Sequence, residues 1–423
     1  MKQYYKRIAD TILENKLKCK GAVLIEGPKW CGKTTTAKHI AKSYIEMDRP
    51  DMSKQYKEMA ELNPSFLLKG ETPHLIDEWQ IAPNIWNATR YEVDQRDEFG
   101  QFILTGSAVP FNLDDSAHTG TGRIARMKMH TMSLYESNDS SGAVSFKDLF
   151  ENKEIFGDDN HTLEEIAFLI CRGGWPKAIG QDKDVALYQA IDYYDAIVSN
   201  DISRVDNISR DKERAKKILR SYARNIGSQI SLENIRQDVI NDETDTFDTN
   251  TLYSYINALR KIFVIEDSVS WNPNLRSKTA IRTSETRYFQ DPSIGAAALG
   301  IGPNDLINDL KTLGLLFENL CVRDLRIYAE ALDGDIYHFR DKTGLECDIV
   351  MHLRNGKYGL IEVKLGGDTL IEEGAKNLLK LKDKIDTSKM NEPSFLMILC
   401  AKAPFAYKRK DGVIICPICC LKP

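Results

Sequence analysis

The stretch Gly21-Ala22-Val23-Leu24-Ile25-Glu26-Gly27-Pro28-Lys29-Trp30-Cys31-Gly32-Lys33-Thr34 decides how the first third of the chain is read. Its first six residues form a short apolar strand candidate, and the next eight spell G-x-x-x-x-G-K-S/T. Thr35 to Tyr44 follows as a predicted helix. Glycines in such a loop let backbone N–H groups turn inward around phosphates, and the helix N-terminus adds the positive end of its dipole. Gly27, Gly32, Lys33, Thr34 and Thr35 are the expected contacts to a nucleotide. Lys33 is expected to reach the β- and γ-phosphates of ATP, with the Thr34 hydroxyl on Mg²⁺.

Working outward, His74-Leu75-Ile76-Asp77-Glu78 runs an apolar strand into an acidic pair. Asp77 is expected to bind the water shell of the Mg²⁺, and Glu78 to polarise an attacking water, which marks a hydrolase more than a passive binder. Gln101-Phe102-Ile103-Leu104-Thr105-Gly106-Ser107 reads as a further buried strand, with Thr105 beside the γ-phosphate. After it come Arg123 and Arg126, ahead of a fifth strand predicted over Met127 to His130. An arginine here would stabilise transition-state charge, in the same chain or in a neighbouring subunit; Arg123 is the favoured candidate.

Together GPKWCGKTTTA, LIDEWQ, QFILTGSA and the glycine-arginine turn resemble a bacterial and archaeal family of AAA-type P-loop ATPases. The resemblance extends through Arg172-Gly173-Gly174-Trp175-Pro176, Phe289-Gln290-Asp291 and Ile361-Glu362-Val363-Lys364, nearly the whole chain. It implies a five-stranded parallel sheet with helices on both faces, and a long C-terminal region of unassigned function. Trp30 and Cys31 stand where other members often have Gln and a small apolar residue; Cys31 is expected to be a packed, inert thiol.

The 423 residues suggest two to four domains, with ample core at 42% hydrophobic and 28% charged. No uncharged run approaches the roughly 18 apolar residues of a membrane helix, and the polar N-terminus lacks a signal-peptide apolar region. Nine cysteines at irregular spacing read as reduced thiols. These features predict a cytoplasmic protein without a membrane partner. The net charge of −5 excludes a uniformly basic nucleic-acid binder but not a local basic patch.

A first domain is expected over 1–135, with a loop or boundary near 137–142. Helices are predicted from Leu163 to Ile170 and from Val185 to Ser199, and the Gly173-Gly174-Trp175-Pro176 turn between them reads as a structural corner with Trp175 packed. The middle, 136–312, continues with helices at Ala215–Asn225, at Ser231–Ile240 with Ser231 as N-cap, and at Asp248–Lys261. A strand at Phe263–Val269, the basic loop Asn274-Leu275-Arg276-Ser277-Lys278 and a returning strand at Thr286–Gln290 complete a winged-helix pattern. Lys and Arg outnumber Asp and Glu by eight to three over 204–224 and by four to one over 272–287. Such clustering is what contact with a DNA backbone would need, although winged helices also serve as protein contacts.

In the last region, 313–423, a helix over Leu313–Tyr328 carries Glu318. Strands follow at Asp335–Arg340, Glu346–His352 and Tyr358–Lys364. Glu318, Asp348 and the Glu-x-Lys of Glu362 and Lys364 resemble the acidic set of the PD-(D/E)xK restriction-endonuclease-like fold. In that resemblance the three carboxylates hold Mg²⁺ and Lys364 orients a water. Cys416-Pro417-Ile418-Cys419-Cys420 reads as unpaired thiols, because four zinc ligands are not found nearby in sequence.

The expected whole is an α/β multidomain chain: a P-loop ATPase domain, a helical and winged-helix region, and a nuclease-like α/β domain. It would hydrolyse ATP while acting on or near nucleic acid. The alternative is an ATP-dependent regulatory switch whose inactive nuclease-like domain is a platform for an unidentified protein partner; a homo-oligomer is a further expected association.

Overall fold

The computed structural model describes residues 4–107, 120–206, 208–240, 247–273 and 284–423. The basic loop at 274–278 lies outside the described residues, as does the first residue of the glycine-arginine turn, Thr119-Gly120-Thr121-Gly122-Arg123. The chain divides into two compact units, one of residues 1–131, 199–210 and 255–264, the other of 132–198, 211–254 and 265–423.

The first unit is built on five strands: β1 (Ala22–Glu26), β2 (Ser43–Glu46), β3 (His74–Asp77), β4 (Phe102–Gly106) and β5 (Ile124–Lys128). All are parallel, in the order β2-β3-β4-β1-β5. Alternation along β1 sends Ala22 and Leu24 into one core, with Ile76, Phe102, Leu104, Trp79 and Trp86. Val23 and Ile25 enter the opposite core, with Leu13, Leu75, Ile103 and Met127. A central strand apolar on both faces is what a parallel sheet covered by helices requires. Helices α1 (Ile8–Leu17) and α2 (Lys33–Ile40) supply cover on the second side; α3 (Ser53–Leu62) and α4 (Asn84–Arg96) contribute to the first.

Two boundaries differ from expectation. The helix after the phosphate loop ends at Ile40, because Ala41 is extended and Ser43–Glu46 pairs with β3 as an edge strand. The fifth strand begins three residues early, at Ile124, because it takes its register from β1.

The second unit opens with β6 (Val144–Ser145), α5 (Phe146–Phe150) and β7 (Gly157–Asp158). Helix α6 (Leu163–Arg172) starts at a capping box, in which Glu165 N–H donates to Thr162 Oγ1 and Thr162 N–H to the Glu165 carboxylate. Next come α7 (Lys183–Ala196) and, in the first unit, the single turn α8 (Ile202–Arg204). Helices α9 (Lys212–Arg224), α10 (Leu232–Val239) and α11 (Thr249–Lys261) fall close to the predicted spans, and Ser231 Oγ accepts from Asn234 N–H as the expected N-cap. Of the two wing strands only isolated antiparallel bridges form, Ile265 with Phe289 and Ser268 with Thr286.

The basic clusters also thin out. Arg210 is buried and forks onto Asp206 at 2.7 Å through both terminal nitrogens. Arg287 is buried against Asp267 and the Ile230 carbonyl. Lys212, Lys216, Lys217, Arg220 and Arg224 on α9 remain exposed.

Helix α12 (Pro292–Leu299) packs against α6, α7 and α9. Its N-cap, Asp291, also accepts from Gly174 N–H, while Trp175 Nε1 donates to Ser293 Oγ. Trp175 is therefore packed at a corner, and Gly174 is required there, since a Cβ would lie 2.1 Å from the Met132 carbonyl oxygen. After α13 (Pro303–Asn308) comes α14 (Leu310–Ala331), which lies against β8 (Gly334–Arg340), β9 (Glu346–Leu353) and β10 (Tyr358–Lys364). Helix α15 (Asp368–Lys384), β11 (Phe395–Cys400), β12 (Phe405–Lys408), β13 (Ile414–Pro417) and β14 (Leu421–Lys422) complete the chain. Seven strands form one mixed sheet in the order β7-β12-β13-β11-β10-β9-β8, while β14 pairs with β6.

Asn319 of α14 is fully buried; its amide accepts from Phe289 N–H at 3.0 Å and donates to Phe289 O at 2.9 Å. This side chain satisfies both backbone polar groups of Phe289, the residue that also forms an isolated bridge with Ile265. Asn319→Ala should destabilise the protein by about 2–4 kcal/mol in urea unfolding, since two buried backbone groups lose their partners together. A loss below about 1 kcal/mol would mean that water or a backbone shift replaces both bonds.

Candidate functional site

The first site lies where the loop after β1 meets the ends of β3 and β4. Gly27 has φ +154°, and a Cβ there would sit 2.1 Å from the Met129 carbonyl oxygen, so only glycine lets the chain turn away from the sheet at this point. Gly32, at φ +103°, starts α2. Lys33 is buried and its Nζ donates to the carbonyls of Gly27 (2.9 Å) and Pro28 (2.7 Å), which holds the ammonium inside the curve of the loop. Arg7 braces the loop from behind, donating to the carbonyls of Cys31 and His130. Cys31 is fully buried, as a packed thiol should be.

Asp77 ends β3 and is almost wholly buried. Its Oδ1 accepts from Thr34 Oγ1 at 2.8 Å and from Thr105 Oγ1. Burial pushes its pKa up, and the two hydroxyl donors oppose that rise. A cation is the ordinary partner for a carboxylate so placed, and Thr34 and Asp77 together would hold Mg²⁺. Glu78 follows in the left-handed region at φ +54°, a conformation costing a non-glycine residue about 1 kcal/mol. Its backbone N–H donates to Thr105 Oγ1, and its carboxylate accepts from Ser107 Oγ at 3.0 Å and from Gln80. Thus Lys33, Thr34, Asp77, Glu78 and Thr105 gather at one end of the sheet, with Thr35 in the first turn of α2.

Arg123 does not join them. Its carbonyl accepts from Ala22 N–H at the start of β1, one strand length, roughly 16 Å, from the phosphate loop. Its side chain is half-exposed and pairs with Asp94 at 2.7 Å. Arg126 instead lies within β5 and reaches Glu26, the residue before Gly27, at 3.1 Å. The sequence reading favoured Arg123 of these two arginines; the register of β5 on β1 sets them apart.

The second site lies in the other unit. Lys364 Nζ meets Glu362 Oε2 at 2.7 Å and Asp348 Oδ2 at 3.5 Å, and the Val363 N–H donates to Asp348 Oδ2 at 2.7 Å. Gly374 of α15 lies directly over this pair of side chains, since a Cβ there would meet Lys364 Cε at 3.4 Å and Glu362 Cβ at 3.6 Å. Glu318, from α14, accepts from the buried Tyr288 hydroxyl. It shares with Asp348 a small pocket also lined by Gln229, Tyr288, His338 and Glu346. Tyr288, Gln229 and His338 were not foreseen here, having no acidic pattern to mark them. Burial, then the Asp348 charge, raises the pKa of both Glu318 and Glu362, while these carboxylates hold the Lys364 ammonium strongly protonated. One lysine against three acids leaves room for a divalent cation, and all-oxygen ligands suit Mg²⁺ or Mn²⁺.

A raised acid pKa means that the folded protein binds the proton more tightly than the unfolded chain. Stability from this group is therefore lost as pH rises above 4.5, the ordinary glutamate value, through the raised one. Glu318→Gln should flatten the fall of Tm with pH in metal-free buffer and leave the variant more stable than wild type at alkaline pH. Parallel Tm–pH curves for the two proteins would contradict the strain assigned to Glu318.

Comparison with known proteins agrees with the first site. Residues 20–138 match the sequence model of a family described as an AAA domain. Residues 163–305 and 313–421 match two families each described as a domain of unknown function, DUF8612 and DUF4143. No curated protein matches the chain in sequence. Among solved structures, a Walker-type ATPase of Pyrococcus abyssi is similar at 15% identity and a TM-score of 0.43, covering 70% of this chain and 96% of that one. AMPPCP-bound DnaA from Aquifex aeolicus is similar at 16% identity and a TM-score of 0.28, over 60% of this chain and 86% of that one. The parallel strand order and the phosphate loop agree with the match of residues 20–138 to the AAA domain family.

Proposed function

We propose that this protein binds and hydrolyses ATP at the first site. The reading is carried by one observation: Thr34 and Thr105, from different elements, both donate to the same buried oxygen of Asp77 beside Lys33. Gly27, Gly32, Lys33, Thr34 and Thr35 cradle the phosphates. Mg²⁺, held through Thr34 and Asp77, supplies charge neutralisation on the β- and γ-phosphates. Glu78 orients and polarises the attacking water, and Thr105 reports the γ-phosphate by its link to Asp77. Arg123 would serve only the nucleotide of a neighbouring copy, given its distance from Lys33.

The rest of the chain directs this activity to nucleic acid, with 136–312 and 313–423 as the regions that engage it. The exposed cations of α9 support contact with a phosphate backbone in a winged-helix-like region, and the Glu318, Asp348, Glu362 and Lys364 cluster supports metal-assisted phosphodiester chemistry. A second reading, an ATP-driven regulatory switch with an inactive nuclease-like domain, is favoured by the direct Lys364–Glu362 pair, in which the lysine already neutralises a carboxylate.

Lys33→Ala should abolish nucleotide binding in a fluorescent-ATP assay. Glu78→Gln should bind ATP normally yet lower kcat by at least about 100-fold, the scale of a lost general base. Normal turnover in Glu78→Gln would remove that residue from the chemistry.

The two readings of the remainder separate by titration of the full chain. Nuclease-type action requires Mn²⁺ binding that Asp348→Asn removes, and DNA affinity that falls steeply with salt. A switch shows neither.

A further inference from the structure

The edge of the seven-stranded sheet brings Asp159, His161 and Cys419 together, with one ligand atom from each within 4.8 Å of the others. Asp159 and Cys419 are buried, and His161 is one-third exposed, which leaves a route from solvent. The backbone fixes these segments independently of the three side chains. Asp158 pairs with Phe405 across β7 and β12, and Asp159 N–H donates to the Pro404 carbonyl. On the other side, Ser141 N–H donates to the Cys419 carbonyl at 2.7 Å.

One carboxylate oxygen of Asp159 is engaged and the other is not. Oδ1 accepts from the His161 ring nitrogen Nδ1 at 2.6 Å and from the His161 N–H at 3.3 Å. Oδ2 is buried with no hydrogen-bond partner among the described residues, though Asp159 as a whole is only 8% exposed. A buried, unpartnered carboxylate oxygen costs free energy that a bound cation would recover.

We propose that Asp159, His161 and Cys419 form a transition-metal site, of the kind Zn²⁺ occupies, with the fourth position open to water or a backbone carbonyl. The donor set decides the class. One oxygen, one imidazole nitrogen and one sulfur suit zinc and its first-row neighbours, whereas Mg²⁺ and Ca²⁺ favour oxygen alone. Tetrahedral bonds of about 2.0–2.3 Å separate ligand atoms by roughly 3.3–3.8 Å, so the site needs a contraction of no more than about 1.5 Å to close on the ion. Cys416 and Cys420 stand outside it, their sulfurs donating to the carbonyls of Pro417 and Asp158. The metal would clasp the β7 loop to the last turn of the chain, joining residues far apart in sequence at the sheet's edge.

The test uses metal-stripped, reduced full-length protein titrated with Co²⁺, whose thiolate complexes have a charge-transfer absorption. One equivalent should bind with that band, Zn²⁺ should abolish it, and excess Mg²⁺ should not. Cys419→Ser should remove the band, His161→Ala should weaken Co²⁺ binding at least about tenfold, and Cys420→Ser should change neither. A wild-type protein without the band, or a band that survives Cys419→Ser, overturns the proposal. If Cys419→Ser does not fold, Asp159→Asn, which keeps the side-chain shape, takes its place, and unchanged Co²⁺ affinity there is equally fatal.

Discussion

Everything at the nucleotide end of the first unit depends on one carboxylate oxygen. Asp77 Oδ1 receives two hydroxyl hydrogens, one from the helix after β1 and one from the end of β4. Parallel strands make this possible, because they deliver their C-terminal ends, and the loops that follow, to the same edge of the sheet. The oxygen is buried, so its donors cannot be exchanged for water without cost. Moving either Thr34 or Thr105 would therefore disturb Asp77, and with it the left-handed turn at Glu78 that hangs from Thr105 by its backbone N–H. On the proposed function, binding and turnover would be coupled through this single small group.

The second unit has a comparable centre in Asp291. Its carboxylate caps α12, accepts from the Gly174 N–H and pairs with Arg323, which in turn binds Asp324 on the same helix. These charges are fully buried, where removing one partner of a pair costs about 3–5 kcal/mol because the survivor is stranded. The network sets α14 against the Gly-Gly-Trp-Pro corner. Since α14 also carries Glu318, packing further along the same helix helps decide where that acid stands.

Charge imbalance distinguishes the three polar clusters. Asp77 is an acid softened by hydroxyls, whereas Glu318, Asp348 and Glu362 crowd around Lys364, and burial followed by the Asp348 charge raises the proton affinity of the two glutamates. The Asp159, His161 and Cys419 group differs again in mixing oxygen, nitrogen and sulfur. Each would make a separate demand on a cation, with the donor atoms setting which ion suits it.

The phosphate loop, the apolar strands at β1, β3 and β4, the Ser231 cap and the strand Tyr358–Lys364 were legible in the sequence because their signals are local. A glycine turn, an N-cap or an alternation of period two is complete within a few residues. The same local rules ran the helix past Ile40 and began the fifth strand late, since an edge strand and a register are fixed by neighbours elsewhere in the chain. They counted Arg210 and Arg287 as basic surface, although each is buried on an aspartate that spacing does not reveal. Arg123 was favoured over Arg126, and the direction of β5 separates them. Cys419 looked solitary because its companions, Asp159 and His161, lie at the other end of the second unit's sequence. Composition and periodicity determined the elements and the phosphate loop; the tertiary fold alone decided which charges meet, because contacts across hundreds of residues are made by packing, which no short run of sequence encodes.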